Sequence, residues 1–234
     1  MFSLVYSSTH LIVAICELLL AVWSIKLWRK SKSVAVVVLC VLLLGISYDN
    51  LLLAAGRFIG LGELLKSLSH VRFLVHHLVV PFLIVVGVEL AYRLGASWAK
   101  NFTRSLAWLF SISLGFVDIF HRYIGTELEP IYFAGVLRYT ASFNGGLPII
   151  TIAVTLFVLA IGVGIWIRSH KVWYWLLVGT LTALIVNSLP LAWVGTLPGS
   201  LAELFMTLTL LLTERYIQHN HPTVLSNPSV LNRV

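Results

Sequence analysis

The sequence predicts an all-α protein, a polytopic integral membrane bundle of seven transmembrane helices with its N-terminus outside and its C-terminus cytoplasmic. Three observations predict it. Hydrophobic residues make up 59% of the 234-residue chain and charged residues only 11%, whereas a soluble domain carries roughly 25% charged residues. Apolar runs recur along the chain, each near the roughly 20 residues that cross about 30 Å of hydrocarbon. Basic residues gather at alternate ends of those runs, as the positive-inside pattern requires.

The runs cover residues 4–28, 34–56, 70–93, 105–122, 147–168, 172–192 and 197–217. Charges and turn formers separate them: Arg29 through Ser33, Gly60-Leu61-Gly62-Glu63, Lys100-Asn101, Asn144-Gly145-Gly146, Arg168 through Lys171, and Gly195 through Gly199. Pro190 and Pro198 leave a second possibility for the last two runs, a single broken hairpin. Residues 1–217 are read as one transmembrane domain and 218–234 as a short polar cytoplasmic tail. The first run lacks a basic n-region and is too long for the h-region of a signal peptide, so it is expected to stay as a span.

With the N-terminus outside, 11 of the 16 Lys and Arg residues fall on the inner side, among them Lys26, Arg29, Lys30, Lys32, Arg93, Lys100, Arg104, Arg168 and Lys171. Trp28, Trp98, Trp166, Trp173 and Trp175 cluster near the same ends, as an aromatic belt does. The formal charge of +7 therefore reflects topology and attraction to the inner leaflet. It forms no basic face of the kind nucleic-acid binding needs, and the bilayer is the expected partner, at the plasma membrane or its equivalent. Cys16 and Cys40 lie within spans without Cys-x-x-Cys spacing and read as small apolar residues.

Two outer segments stand apart. Residues 130–139 are rich in aromatics and are expected as a short helix lying in the interface, or as a plain loop. Residues 61–69 are read the same way.

Ionisable side chains sit inside the spans, where a charge costs a few kcal/mol and marks function. In the first span His10, Ala14, Glu17, Ala21 and Ser24 repeat at three and four, so they should face inward. Gly45, Asp49 and Gly56 share a face of the second span, with Asn50 beside it. In the third, Arg72 and His76 stack one turn apart, His77 lies about 100° round the helix, and Pro81 leaves a carbonyl near residue 77 without its helical partner. Asp118, His121 and Arg122 share a face of the fourth span, and Ser200, Glu203, Thr207 and Glu214 one of the last. Glu89 and Arg93, at i and i+4, are expected to pair. Placed by depth, His10, Asp49, Asn50, Arg72, His76, His77, Asp118, His121, Asn187 and Glu203 all fall in the outer half, which predicts one outward-opening polar cavity.

Such a cluster suits an enzyme acting on a lipid or another apolar substrate. Candidate metal ligands are His76, His77, His121 and Asp118, for a divalent ion such as zinc, which takes three protein ligands and leaves one position for water. Asp49 or Glu203 would then serve as the base, with Arg72 on an anionic group or oxyanion. Haem held by two histidines is a lesser variant. The alternatives are a proton-coupled or small-solute transporter, since ionisable residues also mark ion pathways, and a non-catalytic assembly or receptor subunit held by polar helix contacts. A retinal protein is disfavoured, because no lysine lies mid-span. In span number and orientation the chain resembles the alkaline-ceramidase-like membrane hydrolases and the SWEET sugar carriers. It lacks the last-span His-x-x-x-His of the former and the Pro-Gln motifs of the latter, so the resemblance is architectural and assigns no function.

Overall fold

Hydrocarbon offers no water to satisfy backbone groups, so a chain this apolar crosses it as helices. The computed structural model describes residues 2–141 and 149–220. Helices α1 (Phe2–Ser31) and α2 (Val34–Ile59) form the most extensive helix pair. Helix α3 (Glu63–Val79) runs through a 3₁₀ turn at Val80–Phe82 into α4 (Leu83–Arg93), and α5 (Asn101–Arg122) follows. Strands β1 (Leu128–Phe133) and β2 (Val136–Ala141) precede α6 (Ile149–Arg168), α7 (Trp175–Asn187), the single turn α8 (Leu191–Val194) and α9 (Leu197–Asn220).

Among the described residues five helices are long and apolar enough to cross a membrane: α1, α2, α3 with α4, α5 and α6. The sixth expected span is shorter than its apolar run. Helix α7 has 13 residues, about 20 Å of rise, and stops before Pro190. Helix α9 has 24 residues and packs along α7 and α1. It runs parallel to α1: Tyr6 at the start of α1 accepts from the Leu197 N–H at 2.9 Å, and Gln218 near the end of α9 donates to the Leu27 carbonyl at 3.2 Å.

The surface is greasier than much of the interior. Helix α1 exposes Ile12, Ile15, Leu19, Val22 and Ile25, while His10, Ala14, Glu17, Ala21 and Ser24 are all buried, the stripe the sequence spacing defines. Exposed apolar side chains recur on α2, α5 and α6, as lipid-facing surfaces require. The bundle is organised around α4, whose residues are buried except for Tyr92, packed against α2, α5, α6 and α9.

Three local expectations are corrected. Residues 130–139 lie in an antiparallel hairpin, with Phe133 opposite Val136 and Leu128 opposite Ala141. Ala134 and Gly135 both have positive φ, 48° and 87°, the signature of the two-residue turn whose twist matches paired strands. β-branched and aromatic residues on alternating faces favour strand over interfacial helix. The hairpin docks on α2 at Gly56, where any Cβ would strike the Leu137 carbonyl oxygen. Residues 63–69 continue into α3 and do not form a separate interfacial helix. Glu89 and Arg93 do not pair with each other. Glu89 accepts from Arg104 of α5 at 2.8 Å, and Arg93 meets Glu214 of α9 at 3.1 Å. Neighbouring helices offer better geometry than the next turn of the same helix. These pairs lie at the end of the bundle away from the hairpin. There Trp173 stacks on Tyr216 with centroids 4.5 Å apart, and Lys32 sits over Trp28.

Candidate functional site

The end of the bundle that carries the hairpin encloses a cavity of ≈ 260 Å³. Side chains from α2, α3, β2, α6, α7 and α9 line it, including Asp49, Arg72, His76, His77, Arg138, Thr151, Asn187 and Glu203. Spans contributing polar groups at matching depth, as the sequence indicates, thus meet in one space.

Helix α3 supplies the core of the site. Arg72 donates to Asp49 Oδ1 at 3.0 Å and to the Tyr139 carbonyl at 3.2 Å, tying α2 and β2 to α3. One turn on, His76 Nδ1 lies 3.9 Å from the other Asp49 oxygen, too far for a hydrogen bond but close enough for attraction when the ring is protonated. Asp49 thus gives one oxygen to Arg72, and its other oxygen faces the His76 side of the cavity. His77 points toward α5, where its Nδ1 stands 2.6 Å from Asp118 Oδ2. Phe73 stacks on the His77 ring at 6.0 Å and 18°. Both His77 and Asp118 are buried, and His77 lines the cavity while Asp118 backs it.

The kink at Pro81 helps set this pair. The 3₁₀ turn interrupts the helical ladder, and Ser111 of α5 donates to the Pro81 carbonyl at 2.9 Å. Gly115, one turn later, rests against the His77 and Leu78 carbonyls. Asp118, three residues beyond Gly115, then reaches the imidazole. A carboxylate on Nδ1–H fixes the tautomer and leaves Nε2 as the basic nitrogen. Nε2 has no hydrogen-bond partner among the described residues.

The expected metal ligand set does not assemble. His121 is exposed on α5: it lies about 60° round the helix from Asp118, beyond the side that packs on α3 and α4. Among the described residues no group of three His, Cys, Asp or Glu side chains is placed to hold a metal ion. Of the four histidines offered for haem (His10, His76, His77 and His121), His76 and His77 line the cavity, adjacent on one helix with ring planes at 90°, so among the described lining residues no two histidines face each other across it. Glu203 lines the cavity, and it also borders a second recess of ≈ 20 Å³ walled by Leu42, Ile46, Leu83 and Met206.

A second polar cluster abuts the first. Thr196 Oγ1 lies 3.0 Å from His10 Nε2, His10 Nδ1 lies 2.8 Å from Asn50 Oδ1, and Asn50 Nδ2 donates to both Glu17 oxygens at 3.1 Å. Asn50 Nδ2 also donates to the Ile46 carbonyl, which orients the amide. Its oxygen then accepts from His10 Nδ1–H, and His10 Nε2 accepts from Thr196. This chain joins α1, α2 and the segment before α9 as a buried clasp. Spacing singles out His10 and Glu17 and sets Asn50 beside them, but it indicates neither Thr196 nor the pairing.

Arg138 is the cavity residue that sequence reasoning missed. Its signal was the strand alternation of residues 136–141, which sets Arg138 and Thr140 on one face, and both line the cavity. Comparison with protein-family models, with curated proteins and with solved structures finds nothing that matches this chain.

Proposed function

We propose that the chain is a seven-span membrane protein with its N-terminus outside, and that its cavity is the active site of an enzyme acting on a lipid or another apolar substrate, with His77 as general base. The parallel course of α1 and α9 supports an odd number of passages, and the basic ends of the predicted inner loops support the orientation. The observation that carries the catalytic reading is the 2.6 Å contact between His77 and Asp118 at the wall of a polar cavity.

In this reading Asp118 positions the ring and stabilises the imidazolium that forms, as a buried carboxylate does for a basic histidine. His77 Nε2 takes a proton from water or a substrate hydroxyl, whose oxygen attacks the scissile centre, and returns that proton to the leaving group. Arg72, held rigid by Asp49 and the hairpin, offers positive charge to a developing oxyanion. The chemistry needs no metal, consistent with the dispersed ligand set.

The test is incubation of the purified full chain with a total lipid extract, read by mass spectrometry. A covalent change is expected, lost by ~10²-fold or more in His77→Gln, with melting temperature retained. An unaltered extract, together with solute uptake by proteoliposomes under a pH gradient, sinks the catalytic reading in favour of a carrier.

A further inference from the structure

We infer that the hairpin side of the cavity, built on Arg138 and Arg72, is a binding subsite for a phosphate-ester anion. The inference rests on the reading of this cavity as a substrate site, and names the chemistry of that substrate.

Charge bookkeeping at the cavity wall leads there. Asp49 engages Arg72 at 3.0 Å. The Arg138 side chain makes no hydrogen bond or contact ion pair to a described residue and feels the Asp49 carboxylate only at longer range, yet it is half-buried and lines the same cavity. Burial, with the neighbouring Arg72 charge, lowers its guanidinium to about 10, so it is a cation at neutral pH. A partly desolvated cation with no counterion in contact is costly unless a ligand supplies the charge.

Donors outnumber acceptors at this wall. Arg72 uses two of its nitrogens on Asp49 and Tyr139, and its Nε is buried without an acceptor. Arg138 adds a full guanidinium fork, and Thr140, on the same strand face, lines the same space. Guanidinium forks match phosphate oxygens in bidentate geometry. Two of them suit a tetrahedral oxyanion better than a planar carboxylate, which presents only two oxygens.

Size and polarity set the orientation. A cavity of ≈ 260 Å³ holds the volume of several waters at roughly 30 Å³ each, enough for a small headgroup. The carboxylate of Glu203 lies on the other side, at the border of the apolar recess walled by Leu42, Ile46 and Met206. An anionic group therefore seats at the hairpin side, and the less polar part of the same molecule points toward α9.

Binding to the purified full chain in neutral detergent tests this without relying on turnover. The probes are inorganic phosphate, glycerol 3-phosphate, dihexanoyl phosphatidic acid and dihexanoyl glycerol, titrated by calorimetry. Saturable binding of at least one phosphate compound, absent for dihexanoyl glycerol, is expected. Arg138→Gln should weaken it tenfold or more, Arg138→Lys by less, and Arg215→Gln, exposed at the opposite end, not at all. Preference for phosphatidic acid identifies a lipid headgroup, and equal binding of glycerol 3-phosphate a free phosphate ester; either supports the subsite. Binding unchanged in Arg138→Gln, or no phosphate binding by a wild-type chain that melts cooperatively, overturns it. His77→Gln should still bind, so loss of turnover with retained binding, or the reverse, separates this subsite from the catalytic assignment.

Discussion

Arg93→Met is expected to be among the most damaging single changes outside the cavity. Glu214 is fully buried, and its carboxylate is held by Arg93 at 3.1 Å and by Gln218 at 2.7 Å. Removing the guanidinium leaves a buried carboxylate with neutral donors alone. Breaking a buried pair from one side costs about 3–5 kcal/mol, whereas replacing both partners with apolar groups is close to neutral. Arg93→Met with Glu214→Met should therefore recover most of what Arg93→Met loses. Arg104→Met supplies a milder case: buried Glu89 loses its donor, but the Arg104 side chain is 28% exposed, so solvent reaches the site and the loss should be smaller, about 1–3 kcal/mol. Unfolding by SDS in mixed micelles, followed by tryptophan fluorescence, reads all of these. Trp173 reports locally, since its Nε1 donates to Thr213 at 2.9 Å, one residue from Glu214. A loss below 1 kcal/mol in Arg93→Met, or a double variant no better than the single one, would refute the reasoning.

Three further outcomes follow from the packing. Gly56→Ala puts a methyl group against the Leu137 carbonyl, so the hairpin should lift from α2, with hydrogen exchange at residues 128–141 rising at least tenfold while the bundle still melts cooperatively. Asn50→Leu strands His10 Nδ1 and Glu17 in the interior, at roughly 1–3 kcal/mol for each unsatisfied group; the same SDS titration should show a loss of 2 kcal/mol or more, and a neutral result would mean that the clasp contributes nothing. For orientation, cysteines placed at Leu61 and Lys171 in a background lacking Cys16 and Cys40 should react differently with a membrane-impermeant maleimide in sealed cells. Labelling at Leu61 alone is expected, and labelling at Lys171 alone would invert the topology.

The sequence made some of this legible and left other parts out of reach. Periodicity suffices for faces: the His10, Glu17 and Ser24 stripe is buried as spacing requires, and Arg72 and His76 reach the same carboxylate because they stack one turn apart. Depth along each span suffices to predict that Asp49, His77 and Glu203 share a neighbourhood. Pairing between helices is a different matter, because an i,i+4 spacing says nothing about what a neighbouring helix offers. Hence Arg93 finds Glu214, and His77 takes Asp118 while His121 faces outward. The hairpin is readable in principle from its alternating residues and central Ala-Gly, a pattern that neither an interfacial helix nor a plain loop takes into account. Arg138 went unrecognised with it.

The clasp of Thr196, His10, Asn50 and Glu17 has a bearing on how this protein insulates the bilayer. A carboxylic acid or an imidazole can accept a proton on one atom and release it from another, but a primary amide at neutral pH does neither. With Asn50 interposed between His10 and Glu17, the row of hydrogen bonds is continuous in geometry and broken as a conductor. Within the clasp, a proton on the imidazole has no titratable neighbour to pass to through the amide.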